Sequence, residues 1–294
     1  MTKFRPLERL PVRIEVTPVR VIRADRSVTT LRWQHGGKSK WVPGADDALL
    51  RFSRLRRAAT AAECVSYAER WGVLGEVPRK RFAARAAFTA AFAAIDDPAT
   101  PAPMDPRWRL GREPRALGDD EPLWLWQIVA AKTRALAVLY VALVGGRPAL
   151  ETDYLWRVAT VDHGTRPSSG ARHRDRLGLL QLLLEDWGYA VGGLQESLGL
   201  VDWRGEPAAS VRAVGPVGAA LSLLWVAHRL QMGLAVCAHP KCAEPYLPRQ
   251  KPSTDPRRKT FCPDHRSTGP TLLSKWKKRG VLDKHLNVEE DGDV

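Results

Sequence analysis

Apolar residues recur along this chain at two different periods, and each change of period marks a new element. Residues 11–34 are rich in Val, Ile and Thr that partly alternate with Arg, the two-residue period of half-buried strands. Arg-Ala-Asp-Arg-Ser at 23–27 predicts a turn between two of them, and Gly36, Gly37, Pro43 and Gly44 mark the loops that follow. From residue 46 the period becomes helical. Leu49, Leu50, Phe52 and Leu55 line one face of residues 46–57, with Asp at the start and Arg at the end, as the helix dipole favours. Ala61, Cys64, Tyr67, Ala68 and Trp71 do the same over residues 60–71, where Cys64 belongs to the core stripe. The Ala-rich residues 82–94 predict a helix, and the Pro/Asp-rich residues 96–106 a surface loop. The strongest long helix covers 121–144 and is stopped by Gly145-Gly146. A Gly/Pro/Ser-rich connection at 163–172 leads to helices over about 174–190 and 216–233, and a short basic helix over 269–282 follows.

Composition adds little to this picture. In 294 residues, 44% are hydrophobic and 27% charged, a globular mix that excludes a mainly disordered or fibrous protein. Charge adds more. The net +14 is uneven: residues 1–58 hold 14 Lys and Arg against 5 Asp and Glu, residues 59–237 hold 20 against 19, and residues 238–294 hold 12 against 8. With the acidic last nine residues set aside, 238–285 is +8. The excess therefore sits at the two ends, where it points to a polyanionic partner.

The cysteines give that C-terminal charge a context. Cys237 and Cys242 are separated by four residues, and Cys262 and His265 follow as a second close pair. Two ligand pairs joined by a loop are the arrangement from which a tetrahedral zinc site is built, and three Cys with one His fill four-coordination, as in a structural site. His239 is the rival fourth ligand. His265 suits the position better, because its two-residue gap from Cys262 makes a knuckle turn, whereas His239 would crowd Cys237. The fold expected is mainly α with a small N-terminal β element (α+β) and a C-terminal zinc-knuckle or treble-clef-like module. Its segments are a basic β-containing 1–58, a helical body 59–236, a zinc-binding basic module 237–285 and an acidic tail 286–294.

The string GLAVC-x4-C-AEPYLPRQKP, with RRKTFCPDHR after it, resembles the C-terminal zinc-finger segment of bacterial, mostly actinobacterial, proteins of the CGNR type. In those a helical body ends in a GLA-x-C turn. A Cys pair, a Pro/Arg-rich loop, an aromatic-Cys, a final ligand pair and a basic helix then follow. LLRFSRLRRAATAAECVSYAERWGVLG at 49–75 is similar to their N-terminal helices. The resemblance implies zinc binding, a DNA-binding regulatory role, and ligand roles for Cys237, Cys242 and Cys262. His265 stands where that family has Cys, and the Cys-Gly-Asn-Arg tetrapeptide is missing.

Catalytic patterns are few. Asp162-His163, with Asp175 nearby, offers an acid–base pair but reads better as a solvated loop histidine, and His228 reads as a satisfied core or interface histidine. There is no G-x-S-x-G, Walker A or G-x-G-x-x-G, and the H-x-E and P-C-x-x-C of zinc deaminases do not occur. The expectation is a non-enzymatic protein with one structural Zn2+. Nucleic acid, DNA favoured, would be held through phosphates by Arg257, Arg258, Lys259, Arg266, Lys275, Lys278 and Arg279. A protein partner or homo-oligomer is the alternative. No secretory leader is legible in the first residues, and the apolar stretches 135–144 and 217–227 are about half a bilayer span. A cytoplasmic protein without membrane contact is expected.

Overall fold

The computed structural model describes residues 12–24, 30–35, 37–58, 60–74, 120–145, 152–163, 166–199, 208–229, 233–239, 242–248 and 259–278. Helices dominate, and two small sheets and a hairpin accompany them. Strand β1 (Val12–Val16) buries Val12, Ile14 and Val16, and β2 (Val19–Ala24) pairs antiparallel with β3 (Thr30–His35), as the alternation of residues 11–34 predicts. The strand β4 (Lys40–Pro43) returns antiparallel along β1.

Helix α1 (Ala48–Arg54) continues as a 3-10 turn at Leu55–Arg57 and starts beside an Asp47–Arg51 ion pair. Helix α2 (Ala61–Trp71) begins where the Thr60 N–H donates to Glu63 Oε2 at 3.2 Å, which is one arm of a capping box. It ends at Gly72, whose φ of 83° is open only to glycine-like backbones and whose N–H closes on Ala68 O. Strand β5 (Asp120–Pro122) joins β3 and leads into α3 (Leu123–Val144).

Among the described residues, α3 is the one helix long and apolar enough to cross a membrane, more than the half-span expected from residues 135–144. Its most apolar window is 78% buried inside the protein, so here it serves as the central core helix. Two charges lie mid-helix. Lys132 pairs with buried Asp162 and packs its ammonium 4.7 Å from the Trp187 ring, and Arg134 reaches Ala243 O at 2.9 Å.

Helix α4 (Thr152–Ala159) packs on α3. Helix α5 (His173–Glu185) runs into a π-helical turn at Asp186–Val191, the segment expected to stay helical to about 190. Then β6 (Gln195–Gly199) pairs antiparallel with β7 (Ala208–Val214), and α6 (Gly215–Arg229) follows directly. Strand β1 lies parallel to β7, giving the order β4-β1-β7-β6. The small β element expected at the N-terminus is therefore corrected: β1 takes its partner strand β7, and through it β6, from far along the chain. Residues of β1, α1, α2, α3 and α6 share one hydrophobic core.

The hairpin β8 (Ala235–Val236) with β9 (Pro245–Tyr246) and helix α7 (Gly269–Lys278) complete the described chain. The expected helix at 82–94, the loop at 96–106 and the acidic tail 286–294 lie outside the described residues.

Candidate metal centre

The second small core holds Leu50 of α1 with Ala235, Cys237, Cys242, Tyr246 and Cys262, and Phe261 packs on it. Local backbone bonds place each sulfur. The Cys237 N–H donates to Glu244 O at 2.9 Å, closing the hairpin, and the Cys242 N–H donates to His239 O at 2.8 Å in the turn between the strands. Ala243 takes a φ of 50°, an uncommon value for a residue with a side chain, and so swings Glu244 back into the protein. Residues 259–262 lie beside the hairpin through Ala238 N–H to Thr260 O at 2.8 Å. Pro263 then opens a 3-10 turn, and the His265 N–H closes on Cys262 O at 3.0 Å. Gly269 at the start of α7 lies so close to the Phe261 ring that a Cβ there would fall 2.2 Å from its Cδ1.

The result is one buried cluster. The ligand atoms of Cys237, Cys242, Cys262 and His265 all lie within 4.8 Å of one another. Cys242 Sγ and Cys262 Sγ are 4.0 Å apart, Cys237 Sγ and His265 Nδ1 3.7 Å, and Cys262 Sγ and His265 Nδ1 3.2 Å. Tetrahedral Zn2+ with ordinary bond lengths needs roughly 3.8 Å between sulfurs and roughly 3.6 Å between sulfur and nitrogen. The donor set and spacing therefore fit one tetrahedral ion, with no fifth group of the described residues in reach. His239, the rival ligand, instead stacks on the His265 ring, with centroids 4.1 Å apart and planes 14° from parallel. It buttresses the ligand ring face-on.

Charge around the cluster is arranged to match. Cys242 is pulled down to about 5, first by the hydrogen bond from Cys237 and also by Arg54, while Cys237 and Cys262 are raised, the first mainly by that shared hydrogen bond and the second by burial. Arg54 of α1 reaches across 188 residues of sequence to Cys242 Sγ (3.8 Å) and 208 to Cys262 Sγ (3.7 Å), and pairs with Asp264. Burial opposes its charge, but hydrogen bonds to Asp264 and Cys242 outweigh burial and raise its pKa. Three thiolates with a divalent ion would carry one net negative charge, which Arg54 offsets.

Behind the cluster, fully buried Glu244 meets three guanidiniums: Arg56, Arg57 at 4.0 Å and Arg134 at 3.4 Å. Burial, then the nearby Arg56, lowers Arg134 to about 10. A groove of about 480 Å3 runs along the other side, between α1 and the metal segment. Asp46, Asp47, Asp264, Arg51, Arg54 and Arg266 flank it over a floor of Leu50, Tyr246 and prolines.

Of the expected phosphate-binding residues, Lys259, Arg266 and Lys275 are exposed on the metal segment and α7. Arg257, Arg258 and Arg279, and the Lys278 side chain, lie outside the described residues. Sequence reasoning missed Arg54 and the Glu244 network. Their partners are far apart in the chain, and the run Leu-Arg-Arg at 55–57 reads locally as a helix end. The Asp162-His163 pair is split: Asp162 turns inward to Lys132, and His163 Nε2 meets Asp186 Oδ2 at 3.0 Å at the surface. His228 lies exposed at the surface rather than in the core, where its Nδ1 meets Tyr140 Oη at 3.0 Å. No protein-family model matches the chain, and neither the curated proteins nor the solved structures give a match.

Proposed function

We propose that this chain is a non-enzymatic, zinc-binding regulator of transcription, resembling the CGNR-type proteins, whose treble-clef-like C-terminal module binds nucleic acid, with DNA favoured. The observation that carries the reading is the Cys237, Cys242, Cys262 and His265 set, four ligand groups brought together among the described residues and bounded by exposed Lys259, Arg266 and Lys275. A saturated tetrahedral site supplies folding energy rather than a reactive water. Metal analysis of purified protein is expected to give about one zinc per chain, lost in Cys262→Ser. With about seven phosphate contacts, duplex binding should weaken with salt at a log–log slope near −6. No zinc, or an affinity that salt leaves unchanged, overturns the reading.

A second reading is a protein-interaction scaffold in which zinc only staples the C-terminus. The groove beside α1 favours it, because three carboxylates interleaved with three guanidiniums suit a protein surface better than a phosphate backbone. A stoichiometric protein partner that co-purifies without nucleic acid would support this scaffold over the regulator.

A further inference from the structure

Much of the N-terminal charge excess takes no part in the metal centre. Strand β1 turns Val12, Ile14 and Val16 to the core, and Arg13 and Glu15 to the opposite face. The register carries that face across the sheet. Glu15 lies beside Trp41 on β4 and Val214 on β7, so the three form one cross-strand row. The next row is Pro43, Arg13, Arg212 and Gln195.

This face is open. Trp41 is 50% exposed, Val214 is 47% exposed, and both arginines are exposed. Neither Arg13 nor Arg212 has an ion-pair partner among the described residues, and the half-buried Glu15 pairs with neither. Like charges set side by side on neighbouring strands, about 4.8 Å apart, are unfavourable in the free protein. A half-exposed Trp in the adjacent row is unfavourable too, since its apolar surface meets water.

Both features become favourable with one kind of ligand. An aromatic ring on an open sheet face stacks an unpaired base, and arginines beside it take the backbone phosphates. A duplex hides its base faces and so gains nothing from Trp41. A second copy of the chain would cover Trp41 and Val214, but a two-fold contact centred there would also bury Glu15 against its symmetry mate and draw the arginine row into a desolvated interface.

We propose that the outer face of the β4-β1-β7-β6 sheet binds single-stranded nucleic acid, with an unpaired base on Trp41 and phosphates on Arg13 and Arg212. This goes beyond the zinc-module reading and does not depend on it.

The test uses the full zinc-loaded chain and fluorescence anisotropy of labelled oligothymidylate, oligouridylate and a duplex of equal length, about 20 nucleotides each. Trp41→Ala is expected to weaken single-strand binding about tenfold or more and to leave duplex binding within about twofold. Trp41→Phe should restore most of the loss. The double variant Arg13→Ala, Arg212→Ala should make the single-strand salt slope shallower by about 1.4. Circular dichroism checks that the exposed substitutions leave the fold intact.

The proposal falls if the chain binds neither single strand, or if Trp41→Ala leaves both affinities unchanged. It also falls if Trp41→Ala instead dissolves a dimer seen by sedimentation. The triple variant Lys259→Ala, Arg266→Ala, Lys275→Ala separates the two sites. Loss of duplex binding alone leaves the sheet proposal standing, whereas loss of single-strand binding there but not in Trp41→Ala overturns it.

Discussion

Glu244 is one carboxylate among three guanidiniums, in a place water does not reach. Removing one partner of such a set is more damaging than never having built it, because the remaining charges stay buried and unbalanced. Glu244→Gln should therefore lose about 3–5 kcal/mol in urea unfolding of the zinc-loaded protein; a loss under about 1 kcal/mol would show that the guanidiniums find other partners. Arg54 acts on the ligands rather than on the metal. Arg54→Lys keeps the charge but not the fork that spans Asp264 and two sulfurs, so zinc affinity by chelator competition should drop about 10–100-fold. An unchanged affinity would reduce Arg54 to a surface ion pair. Cys64 lies apart from the metal cluster, buried in the main core. Burial raises its pKa, so above the ordinary thiol value of 9.0 the unfolded chain releases a proton that the folded chain keeps. Stability from this group is thus flat below that pH and falls above it. Cys64→Ala should flatten the alkaline limb of a urea-midpoint profile against pH.

At the level of elements, legibility follows from whether an element's cause is local. The helices α1, α2 and α3 announce themselves by 3–4 spacing, and the ligand pairs by their gaps, because both patterns lie within a few residues. Strands β6 and β7 do not. Gln-Glu-Ser-Leu-Gly has no alternation, and the in–out pattern of Val211, Arg212, Ala213 and Val214 is too short to stand alone. Their reason for being strands is β1, almost two hundred residues earlier. Helix α4 is only eight residues long and was likewise illegible. In the metal centre the ligands could be read from spacing, but Arg54 and the three arginines on Glu244 could not, since each is a long-range match. The preference for His265 over His239 also came from spacing, and the structure groups His265 with the three cysteines while His239 stacks on its ring. Thiol labelling follows the same division by element: the zinc-loaded chain should expose no reactive cysteine, a chelator should release three, and Cys64 of α2 should react only on global unfolding. A fourth fast thiol after chelation would mean that α2 depends on the metal.

Across the whole molecule, the metal segment is built into the body rather than appended to it. Leu50 fills the metal-side core while its neighbours Leu49 and Phe52 fill the main one, and Arg54, Arg56 and Arg134 all cross the boundary. Zinc binding should therefore stabilise the entire chain, by about 2.7 kcal/mol at a free concentration one hundred times Kd. The main calorimetric transition should move upward with zinc and downward with a chelator. A main transition indifferent to both would mean that the two cores melt apart. The central place of β1, between β4 and β7, bears on how the protein is made. As the chain leaves the ribosome, β1 and β4 emerge roughly 10–35 s before β7 at ordinary elongation rates. Throughout that interval one side of β1 is an unpaired edge able to recruit strands from neighbouring nascent chains. Synthesis is thus the stage at which the protein is most exposed to aggregation, and slowing translation between residues 43 and 208 should lower its soluble yield more than slowing it after residue 214.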